Sequence, residues 1–75
     1  MADSNGVTDT QIRKLRVIAA QFNLPDLIHT TMWALGEMPK SKFFPERNVF
    51  YQENARRKCV EIIELLQAVA PQLGL

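Results

Sequence analysis

A chain of 75 residues, 47% of them apolar, holds one small domain and no more, and it leaves apolar surface near its exterior, which favours a homo-oligomer or a heteromeric complex. Nine Lys and Arg against eight Asp and Glu give a net charge of +1, short of the basic excess of a strong nucleic-acid binder. The single cysteine, Cys59, supports neither an internal disulfide nor a thiolate metal site and suits a cytoplasmic setting. No apolar run reaches the length of a membrane span.

The start, MADSNGVTD, is not read as a signal peptide; residues 1–7 are expected to be a loose tail before a single helical domain over 8–75. Thr8 and Gln11 have capping-box spacing, and Val7 and Ile12 fall at the staple positions around it. Ile12, Leu15, Ile18, Ala19 and Phe22 then follow helical spacing, which predicts a first helix over 8–22 with Asn23 as its left-handed stop. Pro25 suits the first position of a second helix, predicted over 25–35 with Gly36 closing it.

The stretch EMPKSKFFPERN, with two prolines and a serine, predicts a loop. Phe43 and Phe44 inside it are expected to pin the loop to the core. Pro45 suits the opening of the next helix, a long third one predicted over 47–70, where Ala55, Cys59, Ile62, Leu66, Val69 and Leu73 are spaced 4-3-4-3-4. Ile63, Val60, Leu65 and Ala70 widen this seam, as in a bundle rather than a two-stranded coiled coil. Pro71 should end or kink the helix. The fold class is therefore all-α: a small three-helix bundle with a Pro- and Phe-containing loop before a long C-terminal helix. Its expected core contains Leu15, Ile18, Phe22, Ile28, Met32, Cys59, Ile62, Ile63 and Leu66. Val69, Leu73 and Leu75 are expected to remain uncovered and to form an oligomer interface.

Residue chemistry points away from an enzyme. His29 is the only histidine, Cys59 falls on the apolar seam, and Gly6, Gly36 and Gly74 are isolated and make no phosphate loop. Glu61 and Glu64 suit a solvated face. No carboxylate and histidine cluster has metal-ligand spacing, so no metal, cofactor or catalytic residue is assigned.

IAAQFNLPDLIHTTMWALG resembles the helix-turn-helix of small phage and bacterial transcriptional regulators, and the resemblance covers residues 15–35. It rests on Ala19 as the small residue of the first helix, Phe22 three residues later, Asn23 at the turn, Leu24 after it and Met32 in the second helix. The resemblance implies a DNA-binding transcriptional regulator whose base readers would be His29, Thr30 and Thr31. NVFYQENARRKCVEIIELL is similar to the segment after the wing of MerR-type regulators, which would set Lys40, Lys42 and Arg47 in place of the wing. Against this, recognition helices present Arg, Lys, Asn, Gln or Ser to base edges, and residues 26–35 hold no basic residue. A plain helix-helix corner is the favoured account of the stretch.

Six of the nine cations, Lys40, Lys42, Arg47, Arg56, Arg57 and Lys58, lie in one span opposed only by Glu46 and Glu53. Arg56, Arg57 and Lys58 stand in the first half of the third helix, with Glu61 and Glu64 after them, the reverse of what the helix dipole favours. The cluster therefore suits an external partner, and both Arg56 and Arg57 are expected on the solvent side. The function inferred from the residues is a small non-enzymatic regulatory protein. It would dock onto a larger protein with an acidic surface, such as a component of the transcription machinery; DNA is the alternative partner, and a membrane is not expected.

Overall fold

The computed structural model describes residues 7–75. Within them the chain forms three α-helices, α1 (Asp9–Gln21), α2 (Pro25–Ala34) and α3 (Pro45–Val69), and ends in a 3-10 turn, Pro71–Leu73. The fold is an all-α bundle with a long last helix, and the described residues contain no strand. The tail expected over 1–7 lies outside the described residues except for Val7, which is buried.

Local chemistry sets the helix ends. The backbone N–H of Gln11 donates to Thr8 Oγ1 at 3.2 Å, and the N–H of Thr8 donates to Gln11 Oε1 at 2.9 Å. This capping box satisfies two amides that the first turn of α1 would otherwise leave without acceptors. Val7 and Ile12, the staple pair, are buried in one apolar cluster. At the other end of α1, Asn23 takes a left-handed φ of 55°. The N–H groups of Leu24 and Asn23 then return to the carbonyls of Ala19 and Ala20. Gly36, at φ 73°, closes α2 in the same way, with Glu37 and Gly36 donating to Met32 and Trp33. Pro25 and Pro45 each occupy the first position of a helix, where no backbone donor is needed. Pro45 starts α3 two residues earlier than the periodicity of the apolar seam predicts.

The core lies where α2 packs between α1 and α3. Its fully buried residues are Ile12, Leu15, Ala19, Thr31, Ala34, Cys59 and Ile63. Alanines at 19, 34 and 55 supply small buried positions. Of the expected core, Leu15, Cys59 and Ile63 are buried, Ile62 and Leu66 pack partly buried against the cluster, and Ile18, Ile28 and Met32 are half-buried. Phe22 is 64% exposed. It forms the C-cap of α1, one turn beyond Ala19, where the chain has already turned toward α2. On α3 the buried residues step by four, Ala55, Cys59 and Ile63, and Val69 falls outside. A straight helix drifts off a seven-residue repeat, so the predicted seam leaves the core near its end.

Candidate functional site

The cationic cluster divides in two. Arg56 is half-buried and turned toward the other helices rather than to the solvent side. Its Nη1 donates to Asp9 Oδ1 at 2.9 Å and to the Ala34 carbonyl at 3.1 Å, and its Nη2 donates to the Val7 carbonyl at 3.4 Å. One guanidinium thus joins the start of α1, the end of α2 and the middle of α3. Ala34 is the last residue of α2, and its carbonyl is one of those a helix end leaves without an intrahelical partner. A fork of fixed donors suits these three acceptors. Next to it, Arg57 and Lys58 are exposed. The sequence-based expectation for Arg56 fails because its acceptors come from parts of the chain far from it.

Lys40, Lys42 and Arg47 are exposed on and beside the loop before α3. Ser41 organises that loop. Its Oγ accepts the N–H groups of Phe43 and Phe44 at 3.2 and 3.1 Å. Its own N–H and carbonyl pair with the Asn48 side chain, both at 3.1 Å. Because this polar clasp holds the loop, the phenylalanines are not needed as anchors. Phe43 is 87% exposed, and Phe44 lies under the Arg47 guanidinium, 4.2 Å from its ring centroid. The expectation that the two rings pin the loop to the core is therefore corrected: they face outward among cations. Val49 and Phe50 add further exposed apolar surface on the first turns of α3.

A groove of about 290 Å³ opens between α2 and α3. His29, Thr30 and Trp33 line one side, and Tyr51, Asn54, Ala55 and Lys58 line the other. Trp33 and Tyr51 meet edge to face with ring centroids 5.2 Å apart, and His29 stands nearly perpendicular to Trp33 at 6.4 Å. Lys58 brings the only formal charge in the lining other than what His29 can carry, and no carboxylate lines the groove. Among the described residues, the side chains of Asn54 and Lys58 have no hydrogen-bond partner.

The residues proposed as base readers part company. His29 is exposed and Thr30 half-buried, both on the groove, although the Thr30 hydroxyl donates back to the Asp26 carbonyl at 2.9 Å. Thr31 is fully buried and donates to the Ile28 carbonyl at 2.6 Å, so it does not reach the surface. The C-terminal strip is also divided. Ala70 breaks α3, and Gly74, at φ 74°, bends the chain back. Lys14 Nζ donates to the Gly74 carbonyl at 3.3 Å, and Gln67 Nε2 to the Leu75 carbonyl at 2.7 Å. Leu75 packs against the core and Leu73 is half-buried, which leaves Val69 alone fully open at 67%.

Cys59 is buried in the core, and desolvation pushes its thiol up to about 11, against a smaller opposing effect of Arg56. A thiol so placed is a poor nucleophile. Among the described residues, no three His, Cys, Asp or Glu side chains gather into a metal-binding group, and no helix is long and apolar enough to cross a membrane. Comparison with protein-family models, with curated proteins and with solved structures finds no match.

The cations were visible in the sequence. Trp33, Tyr51 and Asn54 are not among the expected site residues, although Arg47, Tyr51, Asn54 and Lys58 are spaced 4-3-4 and so mark one stripe of α3.

Proposed function

We propose that the chain is a small non-enzymatic regulatory protein that docks onto a larger protein through the basic and aromatic surface at the start of α3. The observation that carries this is Phe43, a large apolar side chain 87% exposed on a loop held by the Ser41–Asn48 clasp and flanked by Lys40 and Lys42. Exposed apolar patches rimmed by polar groups mark interaction sites. A loop that is already held loses little freedom on binding, so more of its contact energy appears as affinity. The cations select a partner with carboxylates around an apolar recess. A regulatory role, with the transcription machinery as one source of partners, belongs to the same proposal.

The alternative is a DNA reader built on the α1–α2 corner. What favours it is the left-handed turn at Asn23 and the exposed His29 on α2. What disfavours it is the burial of Thr31 and the absence of any basic residue in 26–35.

Affinity purification of the tagged full chain from its host, with and without nuclease, tests the two. The docking function predicts a protein partner that survives nuclease and is lost with the double change Lys42→Glu and Phe43→Ser. Capture that nuclease abolishes, and that His29→Ala weakens while the loop variant does not, would replace it with the DNA-reading function.

A further inference from the structure

We infer that the groove between α2 and α3 takes a segment of the protein partner that sets an apolar or aromatic side chain against the Trp33–Tyr51 ring pair and a carboxylate on Lys58. This deepens the docking function and rests on it. Aromatic rings form the walls, and edge-to-face ring pairs favour a further ring set against them. The lining carries a lysine and no carboxylate, so the occupant is anionic. The Asn54 amide, one turn before Lys58 and without a partner among the described residues, can donate to the same carboxylate.

The shape argues for a segment rather than a free small molecule. Sites that enclose a drug-sized ligand hold roughly 300–1,000 Å³ and cover most of its surface. This groove, at about 290 Å³, lies open between two helices, which suits a side chain still attached to a larger body. The stripe of α3 that supplies Tyr51, Asn54 and Lys58 also supplies Arg47 eleven residues before Lys58. At the rise of an α-helix the two cations stand about 16 Å apart along the axis, a distance that about five residues of extended chain can span. The segment that fits therefore carries acidic residues at both ends and an apolar residue beside one of them.

The test is an NMR titration of the isotope-labelled full chain. Trp33 is the single tryptophan, so its indole N–H signal is unique. Phenylpropionate, which joins a ring to a carboxylate, should shift that signal and the amides of Asn54 and Lys58 saturably. Its amide and propionate should each bind about tenfold more weakly, since each lacks one half of the contact. Lys58→Gln should reduce phenylpropionate to the level of its amide, whereas Arg57→Gln, at the exposed neighbour, should change nothing. The hexapeptide acetyl-Glu-Ala-Thr-Ala-Phe-Glu-amide should bind more tightly than phenylpropionate, and Arg47→Gln should weaken only the peptide. Equal binding of acid and amide, or equal losses from Lys58→Gln and Arg57→Gln, would overturn the inference. So would a hexapeptide no tighter than phenylpropionate, which makes the occupant a free acid. The same shifts from inorganic phosphate alone, or from concentrating the protein, would assign the groove to a simple anion or to a second copy. Loss of groove binding while the loop variant still loses its partner removes the groove and leaves the docking function; the converse removes the docking function and leaves a carboxylate site.

Discussion

Two faces of α3 carry residues of similar type to opposite ends. The inner face presents Ala55, Arg56, Cys59 and Ile63, and the outer stripe presents Arg47, Tyr51, Asn54 and Lys58. Arg56 and Arg57 are adjacent and identical, yet the first joins three helices and the second stands in solvent. What separates them is a 100° step around the helix. The difference teaches that a run of cations is not one patch, and that its role is decided by the acceptors each member meets. Changes on the inner face should lower stability, and changes at the exposed cations of the outer stripe, Arg47 and Lys58, should alter binding at constant stability.

The largest effect is expected deep on the inner face. Ile63→Ala removes a fully buried side chain and should cost about 2–5 kcal/mol, as large-to-small core changes do. Urea unfolding at low temperature, where so small a domain keeps enough folded variant to measure, checks this. A cost below about 0.5 kcal/mol, the usual range of surface changes, would mean that α3 does not bury the face described.

Much of the frame was legible because it depends on chemistry within a few residues. The Thr8–Gln11 box, the Asn23 and Gly36 stops, the prolines at 25 and 45, and the Val7–Ile12 staple each close inside one turn or two. What was not legible depends on the opposite wall. Phe22 has helical spacing but nothing across from it. Phe43 and Phe44 were expected to anchor the loop, but the Ser41–Asn48 clasp does so. Arg56 meets Asp9 across 47 residues and Ala34 across 22, and no local pattern marks such partners. The groove lies between these cases. Its α3 stripe can be read from spacing, whereas the meeting of Trp33 with Tyr51 requires the packing of α2 on α3.

A pH experiment sharpens the same contrast. The Cys59 thiol sits on the inner face and is pushed up from 9.0 to about 11, chiefly by burial. A group whose folded value is raised stabilises the fold fully below its unfolded value and loses that contribution as pH rises through the folded one. Stability of the native chain should therefore fall between about pH 9 and 11, by up to about 3 kcal/mol at about 1.4 kcal/mol per unit. Cys59→Ala should lack this component, which isolates the contribution of the thiol. Identical pH profiles for the two proteins would place Cys59 outside the dry core.

The most direct measurement compares Arg56→Gln with Arg57→Gln by equilibrium urea unfolding. Loss of the Arg56 guanidinium removes charge-assisted bonds to Val7, Asp9 and Ala34 and should cost about 1.5–3 kcal/mol, while Arg57→Gln should stay within about 0.5 kcal/mol of the native chain. Equal stabilities of the two variants would contradict the assignment of Arg56 to a structural inner face and of its neighbour Arg57 to solvent.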